Sequence, residues 1–159
     1  MFRLLFIGIF LLQFLYAQDI TFSEKKYIYA FDNEFKKIGK LSIDTQKVVL
    51  EYPKSQKKVI YTKDLIQIID KDTIQNFTHK ENIQYDLFFR LVIAIYNNDL
   101  QQLQENFLIK RDRDEVTLLP KEQIASVIEK ISFEKIKERL KYLTISFQNQ
   151  DRITIEQIN

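Results

Sequence analysis

Between Phe35 and Phe77 apolar and polar residues alternate in short runs. Leu41/Ser42/Ile43, Val59/Ile60/Tyr61 and Ile66/Gln67/Ile68 set apolar side chains two residues apart, the period of a strand that turns one face to a core. The runs are separated by Asp44-Thr45-Gln46, Pro53-Lys54-Ser55 and Lys63-Asp64, residue types that favour turns. The pattern predicts a meander of four or five antiparallel strands. Upstream, Ile20 to Phe31 is a further strand candidate, with Ile20 and Phe22 on one face and Tyr27, Tyr29 and Phe31 on the other; Asp32-Asn33 turns it into the meander. Gly39 inside a strand pattern marks a bulge or a close backbone approach. Pro53 cannot donate to a ladder, so the strand Val48 to Tyr52 ends there.

The period then changes. Thr78-His79-Lys80-Glu81 has the form of a capping box, and Asn82 is an alternative N-cap. Beyond it Ile83, Leu87, Leu91 and Ile95 fall at i, i+4 spacing, with Phe88 and Val92 beside them, which predicts a helix ending at Asn97-Asn98. Its apolar stripe is wider than one sheet face requires and implies contact on two sides. Asp99 is placed to cap a shorter helix carrying Leu100, Leu103 and Phe107. Sheet pattern resumes with NFLIKR and EVTLLP around an Asp112-Arg113-Asp114 turn. A helical turn over Lys121 to Ala125 follows, then VIEKISF, LKYLTISF and RITIEQI, the last two joined by Asn149-Gln150-Asp151. The fold class is mainly β with a central helical insert (α+β), and no linker or repeat divides residues 18–159. They are read as a single domain.

Composition adds a compartment. Residues 1–17 read as a secretory signal peptide: Arg3 supplies the positive region, Leu4 to Leu15 the apolar core, and Ala17 a small residue before Gln18-Asp19. The apolar run is shorter than the roughly 20 residues of a transmembrane helix. Leu15 at the −3 position keeps an uncleaved anchor as the alternative. The chain has no cysteine, and export without disulfides fits a bacterial periplasm better than a eukaryotic secretory route. Lysine and arginine number 24 and aspartate and glutamate 22. That balance supplies no basic face for nucleic acid.

Candidate chemistry is sparse. With one histidine and no cysteine, a His/Cys zinc site is excluded, and any triad would have to use His79, which reads as an exposed capping-turn residue. Two glycines, Gly8 and Gly39, cannot build a phosphate loop. Asp70-Lys71-Asp72 and Asp112-Arg113-Asp114-Glu115 fall in hairpin turns, where aspartate makes local backbone bonds. The chain therefore reads as a binding protein and not an enzyme, with no cofactor and no metal.

The order of the strand motifs resembles that of the periplasmic outer-membrane lipoprotein carriers, the LolA-like proteins. Thr21-Phe22-Ser23-Glu24, Gly39-Lys40-Leu41-Ser42-Ile43, Leu50-Glu51-Tyr52-Pro53 and Asp64-Leu65-Ile66-Gln67-Ile68-Ile69-Asp70 follow the family's first four strand motifs. Phe107-Leu108-Ile109 and Val116-Thr117-Leu118-Leu119-Pro120-Lys121 follow its later hairpin, and Ile128 to Phe133, Leu140 to Phe147 and Arg152 to Ile158 its closing strands. Two features depart from the family. Its amphipathic first helix has no room before Ile20 once the signal is removed, and Thr45-Gln46 stands where the family has an Arg-Pro pair tied to lid closure.

The resemblance implies a strongly curved antiparallel half-barrel sheet, covered on its concave side by helices, with an apolar cavity between. The function it implies is a periplasmic carrier that takes the acyl chains of lipoproteins from the inner to the outer membrane. Leu87, Phe88, Leu91, Val92 and Ile95 are expected on the helix side of the cavity and Leu50, Tyr52, Ile66 and Ile68 on the sheet side. Expected partners are lipoproteins, an inner-membrane ABC exporter and an outer-membrane acceptor, with the carrier a monomer. Two other readings stand beside it: a lipid- or lipoprotein-sensing regulatory module of the same fold, and an envelope assembly factor with a solid core and no ligand.

Overall fold

The computed structural model describes residues 18–159; the expected signal peptide lies outside them. The chain forms β1 (Gln18–Ile28), β2 (Asn33–Ile43), β3 (Lys47–Tyr52), β4 (Lys57–Thr62), β5 (Ile66–Asp70) and β6 (Thr73–Phe77), then the helix α1 (Ile83–Tyr96). It continues through β7 (Phe107–Asp112), β8 (Glu115–Pro120), β9 (Ile128–Ile136), β10 (Arg139–Phe147) and β11 (Arg152–Gln157). The strands form one open antiparallel sheet in the order β6-β5-β4-β3-β2-β1-β11-β10-β9-β8-β7. Two meanders are thus zipped together at β1 and β11, and α1 links the two outermost strands.

The register explains the apolar pattern. Ile20, Leu41, Leu50, Val59 and Ile68 stand opposite one another across five strands, and Ile43, Val48, Tyr61, Ile66 and Phe77 form the next row. In the other half Ile153, Ile145, Ile131, Leu118 and Ile109 line up, beside Ile155, Leu143, Phe133 and Val116. Because side chains alternate between faces, these rows share one face, and they form one core with the buried residues of α1. The opposite face carries mainly Lys, Glu, Ser and Thr.

The meander has five strands, and the turn at Pro53 is a short 3-10 segment, Pro53–Ser55. β1 ends earlier than its alternation suggests: Tyr29–Phe31 is a 3-10 turn closed by Asp32 at φ 44°, and Phe31 is 77 % exposed. Aromatic spacing cannot separate a strand from the hairpin end that follows it. The expected cover of several helices is also corrected. Among the described residues α1 is the one α-helix. The stretch after Asp99 is a single 3-10 turn, Gln101–Leu103, where the Asp99 side chain accepts from the Gln101 N–H at 3.1 Å.

Gly39 marks a close approach and not a bulge, since β1 and β2 pair without interruption from Gln18 to Ile28. A Cβ at Gly39 would lie 2.2 Å from the ring of Phe22. True register breaks fall between β9 and β10, at Leu140/Tyr142 and Ser146/Phe147, and such irregularities bend and twist a sheet.

Candidate functional site

Both expected start signals of α1 form, one after the other. Glu81 accepts from the backbone N–H of Thr78 at 2.7 Å and from its hydroxyl at 2.9 Å. These bonds, the backbone one first, hold the Glu81 carboxyl below its usual range. One residue later the Asn82 side chain accepts from Tyr85 N–H, so Asn82 is the N-cap of the helix itself. The carboxyl end is held from a distant strand. Lys135 Nζ donates to the carbonyls of Ile95 at 3.2 Å and Tyr96 at 3.3 Å and to the Asn98 side chain at 3.1 Å. A cation there satisfies carbonyls that lack intrahelical partners.

The nine residues expected to line a cavity belong to α1, β3 and β5 and fall in two sets. Leu50, Ile66, Leu91, Val92 and Ile95 are buried in the core, none more than 4 % exposed. Tyr52, Ile68, Leu87 and Phe88 are only partly buried and pack against that core. Tyr85 and Ile93 share this intermediate position, so α1 is apolar on more than one side. Ile83, at its start, is 66 % exposed. Two open depressions, of about 400 and 350 Å³, take in one of the nine, Ile68. One sits at the β5–β6 hairpin and includes Ile68; the other lies over β1, β2 and β3.

Tyr52 has a polar tip in this apolar setting. Its hydroxyl donates to the Glu24 carboxylate, its ring meets Phe22 edge-on at 6.1 Å, and Lys37 Nζ lies 5.5 Å from the ring centroid. Burial first, and the Glu24 charge second, push the Tyr52 phenol far above its ordinary range. On the helix side Lys57 Nζ sits 5.5 Å from the Tyr85 ring. Inward positions of β1, β2 and β4 thus carry charge toward one end of the sheet.

At the opposite flank lies a polar cluster that local pattern does not disclose. His79 is partly buried, not the exposed residue its turn position suggests. One ring nitrogen meets Asp86 Oδ1 at 2.8 Å and the other the Lys63 carbonyl at 3.1 Å. Asp86 also accepts from the Tyr61 hydroxyl at 3.1 Å and has Arg90 at 3.8 Å. The Tyr61 ring stacks on the buried Phe89 at 4.9 Å. Burial, then Asp86, push the Tyr61 phenol up to about 12. This cluster ties the β4–β5 turn to the first turn of α1. The one hint of it in the sequence is the i, i+4 spacing of Asp86 and Arg90. Among the described residues no group of three or more His, Cys, Asp or Glu side chains is placed to hold a metal ion.

No protein-family model matches the chain, and neither does any curated protein. Among solved structures, the chain is similar to the crystal structure of the LolA superfamily protein NE2245 from Nitrosomonas europaea, over 91 % of this chain and 85 % of that one, at 6 % identity and a TM-score of 0.48.

Proposed function

We infer that the protein is a periplasmic carrier for the acyl chains of lipoproteins. The observation that carries this reading is α1: apolar on more than one side, with Leu87 and Phe88 only partly buried, and laid against the apolar face of an open sheet. An acyl chain entering between α1 and β3 to β5 would replace contacts of Tyr52, Ile68, Leu87 and Phe88, while Leu50, Ile66, Leu91, Val92 and Ile95 form the floor. Each methylene removed from water contributes about 0.8 kcal/mol. Membrane-anchored acyl groups need such a shield to cross an aqueous compartment.

A curled sheet with α1 on its concave side suits this role. α1 bonds to β4 through Asp86 and to β9 through its last carbonyls. In the strand order these lie six spacings apart, about 29 Å if the sheet were flat. The ten residues from Asp86 to Tyr96 rise about 15 Å; the Tyr61 and Lys135 side chains span part of the rest, and the register breaks of β9 and β10 add bend. Lipoproteins handed over by an inner-membrane ABC exporter to an outer-membrane acceptor would be the partners, and no catalysis is involved.

The full burial of five of the nine residues favours one second reading, an envelope assembly factor with a solid core. Titration with a fluorescent triacylated lipopeptide separates the two. A carrier binds it saturably near one equivalent, with the Tyr85 and Tyr52 signals perturbed; a solid-core factor leaves it in its micelles.

A further inference from the structure

The two outer strands of the sheet are built differently. β7 carries Lys110, Arg111 and Asp112, and charged side chains on an edge oppose pairing with another chain. β6 reads Thr73-Ile74-Gln75-Asn76-Phe77, with no charge, proline or glycine, and it pairs with β5 without a bulge. Thr73 to Asn76 are exposed, Ile74 to 62 %. A short uncharged run of this kind, unpaired on one side, is a template for another strand.

The hairpin register says which backbone groups are free. Asp70 and Thr73 close a two-residue turn at Lys71-Asp72, so they form a hydrogen-bonded pair. Alternation then puts Ile68–Gln75 and Ile66–Phe77 in the same class. The N–H and C=O of Ile74 and Asn76 therefore point away from β5, and no backbone bond links either residue to another element.

We propose that β6 is the interface with a second copy of this chain, the two β6 strands pairing antiparallel about a two-fold axis through Gln75. In that register Ile74 stands opposite the partner's Asn76, and Asn76 opposite the partner's Ile74. It is the self-pairing that uses both outward residues of each copy, giving four backbone hydrogen bonds. The axis makes the contact isologous and closed. It also brings Asp72 to the end of the partner's β6, three residues before the exposed Lys80, while the Glu81 carboxylate there stays tied to Thr78 N–H and hydroxyl; symmetry repeats the arrangement. The resulting sheet runs through both copies and leaves the apolar face of each unchanged. The inference departs from the monomer expected from the sequence and does not depend on what the apolar face binds.

Sedimentation velocity on the exported protein over a concentration series tests it, together with amide exchange. A reversible dimer is expected, with the Ile74 and Asn76 amides slowing as concentration rises. Ile74→Pro removes an outward donor while sparing the bonds to β5, and should weaken the dimer at least about ten-fold at unchanged far-ultraviolet circular dichroism. Asp72→Lys should weaken it too, and adding Lys80→Asp should restore it. That charge pair decides the matter if the proline variant misfolds. A monomer at every concentration with fast exchange at Ile74 and Asn76, or a dimer indifferent to both Asp72→Lys and the reversed pair, overturns the proposal.

Discussion

The ring of Phe22 on β1 lies directly over Gly39 on β2, its cross-strand partner. Phe22 is buried and passes over the glycine to meet Tyr52 of β3 edge-on. The absent side chain at Gly39 is what lets an aromatic ring lie along the sheet instead of standing up from it. With a Cβ 2.2 Å from the ring, Gly39→Ala must displace Phe22 and the Tyr52–Glu24 contact behind it. A loss of about 1–3 kcal/mol is expected in urea unfolding, in the range of overpacked cores. Gly39→Ala combined with Phe22→Leu should recover part of it. Equal stability of wild type and Gly39→Ala would show that the ring does not rest there.

Three tyrosines make stability fall in alkali. Burial holds Tyr61 and Tyr96 up to about 12, against the ordinary 10, and pushes Tyr52 further in the same direction. Phenols raised in the folded state bind more protons there than in the unfolded chain between pH 10 and 12, so stability falls across that window. Their contribution is complete below about pH 10 and is lost as pH rises through the folded values. Tyrosinate absorbance should therefore show the exposed tyrosines ionising first and these three only with unfolding. A single smooth titration of all tyrosines while circular dichroism stays native would contradict this.

The cluster at the start of α1 should behave as a unit. Asp86 takes bonds from Tyr61 and His79, and removing one donor leaves a partly buried carboxylate short of partners. Tyr61→Phe and His79→Ala should each cost about 1–2 kcal/mol. Combined with Asp86→Asn, neither should cost its full amount again, a coupling of about 0.5 kcal/mol or more. Additive losses would mean that the three side chains do not share this network.

Two neighbouring helix positions should separate folding from binding. Leu91 is fully buried, and Leu91→Ala should destabilise by about 2–5 kcal/mol. Phe88 is partly buried, so Phe88→Glu should leave the sheet folded and, on the proposed function, abolish acyl binding. Thermal unfolding and lipopeptide titration on the same two proteins check this. A folded Phe88→Glu that binds like wild type would remove Phe88 from the site.

Most of the sheet is legible because alternation is a local signal. The rows Leu41/Ile43, Val59/Tyr61 and Ile66/Ile68 reach the core face as their spacing predicts, and Pro53 ends β3 where its missing donor requires. α1 is equally readable from Ile83, Leu87, Leu91 and Ile95, and Gly39 narrows to two explanations of which the structure selects one. What pattern does not carry is pairing over long separations. Nothing near Lys135 announces that it will hold the end of α1 about 40 residues away, and nothing near His79 announces Lys63 and Asp86. Nor does apolar spacing tell a buried residue such as Ile95 from a partly buried one such as Phe88, since both satisfy the same periodicity.

The face between α1 and β3 to β5 is proposed to hold acyl chains. Native mass spectrometry of the isolated protein, with extraction of bound lipid, tests this proposal. Lipoprotein or acyl species near one per chain are expected, lost in Phe88→Glu. A protein that is empty as isolated, and stays empty when offered triacylated lipoprotein, would contradict it.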